Sequence, residues 1–269
     1  MPSESPVLLT EDRGRVRVLR LSRPEKKNAL NAELGWAIAL ALERAARDDE
    51  VWVIGVTGAG DAFCSGLDLT AERGEDPSPL SPQERLLDDL GWVGRFPVLM
   101  REVCDKPVVA GVNGVAVGAG FSLAMAADIR IASSRARFLA GYSRAGTSPD
   151  GGLSYTLSQA IGYERALRFL LEQEMVGADE ALARGIVGEV VPELEFEERF
   201  AACLEHLAGV SPIALRQTKR MLGRAAVASS VEGFVREELV YARRGLATED
   251  SVEARNAILE RRKPSFRGR

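Results

Sequence analysis

Residues 106–130, KPVVAGVNGVAVGAGFSLAMAADIR, read as strand, turn, helix start and second strand, and the rest of the chain is arranged around them. Val108, Val109 and Val112 suit a buried strand, and Asn113-Gly114 is a turn dipeptide. Gly118-Ala119-Gly120 then leads into Phe121, Leu123, Ala124, Met125 and Ala127, an apolar density that implies a helix buried on most sides. Backbone N–H groups point outward at such a helix start, where the dipole favours a developing negative charge. Length alone would admit a membrane span from Pro107 to Ala127, but the Asn-Gly turn and the glycines would break it near its middle. A dinucleotide fingerprint fails on spacing, because Leu123 stands where its final glycine is required. Two readings stay open on these residues alone: a tightly packed strand-to-helix corner, or an anion-stabilising one.

Upstream, Val16 to Leu21 reads as a strand, and residues 50–57, EVWVIGVT, as an almost continuous apolar run of the parallel, doubly covered type. Between them Asn31 is placed to cap a helix in which Leu34, Ile38, Ala41, Leu42 and Ala45 recur at helical spacing. Residues 58–69, GAGDAFCSGLDL, are punctuated by glycine and leave backbone available to a ligand, and 72–81 reads as a mobile surface loop. A helix is expected over 82–104, kinked or broken at Pro97. Beyond a short strand at 129–132, the Gly- and Pro-containing stretch 138–152 is irregular and holds candidate site residues. Helices then dominate, with C-caps at Gly162 and Gly185, one more strand over 186–191, and Ser211-Pro212 as N-cap and first helical residue. The division that follows is a core over 1–200 and a helical region over 201–269, the latter too elongated to fold alone.

With 46% hydrophobic and 28% charged side chains in 269 residues, the composition is that of a soluble globular chain able to bury a full core. A net charge of −4 argues against nucleic-acid binding, although Arg261, Arg262, Lys263, Arg267 and Arg269 make the end locally basic. Cys64, Cys104 and Cys203 are widely spaced, so neither a disulfide framework nor a metal site is expected. The start, MPSESPVLLTEDRGR, lacks the basic and then apolar order of a signal peptide, and a cytoplasmic location is expected.

Four stretches taken together resemble the crotonase, or enoyl-CoA hydratase/isomerase, superfamily: RPEKKNALN at 23–31, FCSGLDL at 63–69, residues 106–130, and PDGGLSYTLSQAIG from Pro149. The closing ERRKPSFRGR is similar to the usual C-terminal signature. The resemblance implies an α/β fold of stacked ββα turns followed by a helical C-terminal trimerisation region, in a homotrimer or a dimer of trimers. It implies an acyl-CoA thioester substrate, with coenzyme A as part of that substrate and no further cofactor. The thioester carbonyl would be polarised by two backbone N–H groups, which correspond by position to Leu67 and Ala119, the latter in place of the usual glycine. Coenzyme A would be met by Lys27, Asn28, Ala29, Ser65, Gly66, Asp68 and Leu69, largely through backbone, with Lys26, Lys27 and the tail arginines as candidates for its phosphates.

Acid and base groups choose the reaction in this superfamily. Hydratases resembling crotonase carry two glutamates, at positions held here by Ser122 and Tyr142. Neither replaces a carboxylate near neutral pH, so two-glutamate hydration is not expected, and these side chains would shape the pocket or hold a water. Eight residues after Tyr142 stands Asp150, where dienoyl-CoA isomerases, ring-1,2-epoxyphenylacetyl-CoA isomerases and 4-chlorobenzoyl-CoA dehalogenases carry a catalytic aspartate. From the residues alone, Asp150 between Pro149 and Gly151 is equally what a helix N-cap looks like. The one histidine, His206, falls in an expected helix of the C-terminal region, which argues against a dehalogenase or Ser-His-Asp hydrolase. The expectation is an acyl-CoA isomerase in which Asp150 shuttles a proton. An atypical hydratase or other crotonase chemistry, and a non-catalytic acyl-CoA binder, are the alternatives.

Overall fold

A computed structural model describes residues 6–71 and 77–269; residues 72–76 of the expected surface loop lie outside the described residues. The strands are β1 (Leu8–Arg13), β2 (Val16–Leu21), β3 (Val53–Gly58), β4 (Ala62–Cys64), β5 (Val108–Val112), β6 (Val115–Val117), β7 (Ile129–Ser133), β8 (Arg137–Leu139), β9 (Val176–Gly177) and β10 (Glu189–Val191). The helices are α1 (Ala32–Arg47), α2 (Pro82–Leu87), α3 (Gly91–Val98), α4 (Ala119–Ala126), α5 (Leu153–Ile161), α6 (Tyr163–Glu172), α7 (Ala178–Arg184), α8 (Phe196–Ala208), α9 (Pro212–Ala225), α10 (Val231–Leu246) and α11 (Glu249–Glu260). None of the described helices is long and apolar enough to cross a membrane.

The strands form a six-stranded sheet in the order β1-β2-β3-β5-β7-β10 and a four-stranded sheet in the order β4-β6-β8-β9. Pairing is parallel except between β1 and β2 and between β8 and β9. Three turns of chain repeat one pattern, a strand in the large sheet, a strand in the small sheet, then helix: β3, β4 and α2–α3; β5, β6 and α4; β7, β8 and α5–α6. These are the stacked ββα turns expected. The apolar runs of β3 and β5 are buried throughout because both faces of the large sheet are covered. One face carries the main core with α1, α3 and α4, and the other packs Phe196, Phe200 and Leu204 of α8. Asn31 caps α1 as expected, its side chain accepting the Leu34 N–H at 2.9 Å. Gly162, Gly185 and Ser211-Pro212 also stand at the helix ends assigned to them.

Several expectations are corrected. The single helix over 82–104 is two helices, and the break falls at 88–90 rather than at Pro97. There the Asp88 carboxylate accepts the N–H groups of Leu90 (3.2 Å) and Gly91 (3.1 Å) and pairs with Arg95 at 2.8 Å, which fixes a new helix start. Pro97 lies inside α3, and a π-helical turn, Leu99–Val103, follows it directly. The boundary placed between 200 and 201 runs through α8, since Phe200 and Leu204 of that helix both belong to the core against the large sheet. The C-terminal helices return onto the same chain's core through α9: Lys219 Nζ pairs with Asp128 at 2.6 Å, and Arg216 and Arg220 pair with Asp105 at 2.8 and 2.7 Å.

Candidate active site

Two short turns, one from each of the first two ββα units, bring the expected carbonyl-polarising groups together. Residue 67 forms a parallel bridge with Leu30, in which the Leu30 N–H donates to Gly66 O (2.7 Å) and the Asp68 N–H donates to Leu30 O (2.9 Å). That alternation turns the N–H of Leu67 to the opposite edge, away from Leu30. Ala119 is the first residue of α4, where a backbone N–H has no partner within its helix. Neither N–H donates to a backbone acceptor among the described residues. Each donor follows a glycine in left-handed backbone, Gly66 at φ +98° and Gly118 at φ +52°, a region that side chains with a Cβ disfavour. The turns lie against each other: a Cβ on Gly66 would sit 2.8 Å from Val117 O and 3.9 Å from Ala119 N.

The other end of α4 is held by two guanidinium groups. Arg101 donates to the carbonyls of Met125, Ala126 and Ala127, and Arg130 to those of Ala127 and Ile186. Positive groups at a helix C-terminus complement its dipole and satisfy carbonyls that have no partner in the helix. Cys64 packs against Gly120 at the start of α4, but burial pushes its thiol up to about 12, so it stands there as a packed thiol rather than a nucleophile.

Ser122, Tyr142 and Asp150 converge one turn further along α4. The Tyr142 hydroxyl donates to Asp150 Oδ1 at 2.6 Å and lies 2.7 Å from Ser122 Oγ, which in turn lies 3.0 Å from the Asp150 carbonyl oxygen. Ser122 is fully buried and Tyr142 nearly so. Burial, and then the neighbouring Asp150 carboxylate, push the Tyr142 phenol well above its ordinary range, so it remains a neutral donor. The capping reading of Asp150 does not hold. The N-cap of α5 is Gly152, in left-handed backbone, and the Asp150 side chain points to Tyr142 instead.

Phe96 and Met100 are buried in the core, and Trp92 packs over Gly35 of α1. The residues of α3 that meet the site are Val93 and Pro97: a Cβ on Gly151 would lie 3.1 Å from Val93 and 2.9 Å from the Ser122 Cβ, and one on Gly152 would lie 2.9 Å from Pro97. Sequence reasoning missed these two, because nothing in a helix's spacing says which of two apolar faces meets a loop fifty residues later.

The residues expected to meet coenzyme A form a strap across the Leu67 turn, and most of their polar atoms are already engaged. Asn28 is fully buried; its Oδ1 accepts the Arg23 N–H, and its Nδ2 donates to Ala59 O and Ala62 O. The N–H groups of Asn28, Ala29, Ser65 and Asp68 donate to Arg23, Lys26, Lys27 and Leu30, respectively. Asp68 pairs with Arg23 at 2.8 Å and accepts the Thr70 hydroxyl at 2.7 Å, and Arg23 also donates to Ala29 O. Arg23 stands in the motif at 23–31, yet its partner 45 positions away was not visible in the sequence. Lys27 and Leu69 remain exposed, and Lys26 Nζ donates to Thr70 at 2.9 Å. The tail arginines are not brought to these lysines within one chain. Arg262 pairs with Glu253 and Glu260, Arg269 with Glu249, and Gly268 lies against Trp52, at the end of the large sheet opposite to Lys26. His206 is exposed on α8 and takes no part in the site. A cleft of about 320 Å³ between β1–β2 and α8 is lined by none of the candidate site residues.

A family profile described as enoyl-CoA hydratase/isomerase matches residues 11–269. The chain belongs to the enoyl-CoA hydratase/isomerase family. Within the family it is 35% identical to a protein of Rhodobacter capsulatus named "Probable enoyl-CoA hydratase", over 94% of each chain. It is 33% identical to the 1,2-epoxyphenylacetyl-CoA isomerase of Escherichia coli K12, over 94% of this chain and 95% of that one. Among solved structures, a probable enoyl-CoA hydratase/isomerase from Mycobacterium abscessus superposes with a TM-score of 0.86 at 31% identity, over 98% of this chain and all of the other.

Proposed function

We propose that this family member is an acyl-CoA isomerase. The observation that carries the reading is the Ser122–Tyr142–Asp150 cluster: the two positions that hold hydratase glutamates carry hydroxyls, and the one carboxylate of the cluster belongs to Asp150. The thioester oxygen would accept the N–H groups of Leu67 and Ala119. Asp150 would take a proton from one carbon, the electron pair would delocalise onto that oxygen as an enolate, and the same carboxyl would return the proton to a different carbon. The double bond moves, and no atom is gained or lost. Each hole donor in such a site contributes about 2.7–4 kcal/mol to the transition state. Coenzyme A would run past the strap at 26–30 and 65–69, reaching the exposed Lys27 and Leu69, and no further cofactor is needed.

Replacing Asp150 by Asn should slow double-bond migration in an unsaturated acyl-CoA about 10²–10⁴-fold, to a residual rate that can still be measured, while leaving the melting profile and thioester binding close to wild type. Full turnover in this variant would overturn the role of Asp150. The hydratase names among the relatives favour a second reading, in which Asp150 activates water. Turnover in oxygen-labelled water separates the two, since hydration incorporates the labelled oxygen and isomerisation incorporates only hydrogen. The assembly we propose is a homotrimer or a dimer of trimers, supported by apolar stripes on α6 and α10 that no part of the described chain covers.

A further inference from the structure

Counting protons orders the three side chains beside α4. Ionised Asp150 can only accept, so the 2.6 Å contact at its Oδ1 is donated by Tyr142. Tyr142 has a single proton, so its 2.7 Å contact with Ser122 is one in which Ser122 donates, sharing that proton with the carbonyl oxygens of Asp150, 3.0 Å away, and Gly118, 3.3 Å away. The chain therefore runs from Ser122 to Tyr142 to one carboxylate oxygen. A carboxylate otherwise turns easily about its terminal torsion, which is broad and two-fold. A buried phenol donating to one oxygen at short range removes that freedom.

We propose, resting on the isomerase reading, that Tyr142 is a positioning residue: it occupies Oδ1 of Asp150 and leaves Oδ2 as the oxygen that receives the substrate proton and delivers it to the second carbon. A proton shift between two carbons of one bound substrate requires the carrier oxygen to stay between them, and a pinned carboxylate does so without a change of rotamer. No other charged group competes at this point among the described residues. The facing positions of α3 are Val93 and Pro97, α4 presents Ser122, and Arg144 of the same loop donates to the Gln173 carbonyl instead. The loop that carries Tyr142 is itself fixed, since the Tyr142 carbonyl accepts the N–H groups of Ala145 (2.9 Å) and Thr147 (3.1 Å).

The test is a kinetic cycle over Tyr142→Phe, Asp150→Asn and the double variant. Y142F keeps the ring and removes only the donor; kcat should fall about tenfold or more, with KM within about twofold of wild type. In the Asp150→Asn background the same change should cost nothing further, because Tyr142 acts only through Asp150. Wild-type kcat in Y142F, or losses that multiply in the double variant, would overturn the proposal. A second measurement does not depend on Y142F folding or on the reaction assigned. The Tyr142 hydroxyl proton should give a low-field proton resonance in wild type that is displaced in D150N. Protein that shows this resonance yet moves no double bond overturns the isomerase reading and leaves the contact standing; protein that moves the double bond without the resonance overturns the contact.

Discussion

Asp68, next to Leu67 in the strap, is held by a guanidinium and a hydroxyl. The Thr70 hydroxyl and the Arg23 guanidinium together hold its carboxyl down to about 2, below the ordinary 3.8. A carboxyl whose folded pKa is depressed stabilises the fold fully above its unfolded value and loses that contribution as pH falls through the folded one. Asp68 therefore supports the strap throughout the neutral range and lets go between about pH 4 and pH 2. Asp68→Asn should melt at a lower temperature than wild type at pH 6, and the difference should close as the pH is lowered through that window. Thermal melts at a series of pH values check this, and a gap that stays constant down to pH 2 would show that the Asp68–Arg23 ion pair is not what holds the strap.

At the scale of the element, α4 is the corner that places the Ala119 N–H and, one turn on, Ser122 beside Tyr142. Its tolerance is small. A Cβ on Gly120 would lie 2.3 Å from the carbonyl oxygen of Cys64, a backbone atom that cannot swing aside, so α4 would have to lift away from β4. Gly120→Ala is expected to lower the thermal midpoint and to reduce kcat more than 10²-fold, the order seen when one oxyanion donor is lost. A variant that keeps wild-type kcat would show that the corner tolerates displacement. Much of this element was legible in the sequence, because Val108, Val109 and Val112 before an Asn-Gly turn and an apolar run after Gly120 interrupted only by Ser122 admit few structures. The three-residue strands β4, β6 and β8 were not, since no periodicity can be read in three residues. Nor was β1, an edge strand whose LLTEDR alternates too weakly to stand out. The residues of the site were legible chiefly through resemblance: Asp150 looks like a helix cap until Tyr142 and Ser122 are seen beside it. Their approach is set by the stacking of the second and third ββα turns, which no local pattern encodes.

At the scale of the molecule, the described residues leave two unlike apolar helix stripes uncovered, among other exposed apolar side chains. On α10, Val231, Val235, Leu239 and Leu246 follow helical spacing, and the helix buries none of its residues. On α6, Tyr163, Leu167 and Leu171 do the same at intervals of four, with exposures of 76%, 42% and 62%. A stripe of this kind on an isolated chain would be costly to leave in water. Because the two faces differ, one meeting the other across a subunit contact is a heterologous arrangement, and such contacts close into rings rather than two-fold pairs. This supports the trimeric reading over a simple dimer. Sedimentation of the wild-type protein should give three or six times the mass of one chain. Val235→Glu combined with Leu239→Glu places two charges in the α10 stripe without touching the Asp150 cluster or the α9 ion pairs, and it should shift the protein to the mass of a single chain. A double variant that keeps the wild-type mass would place the assembly contact elsewhere on the surface.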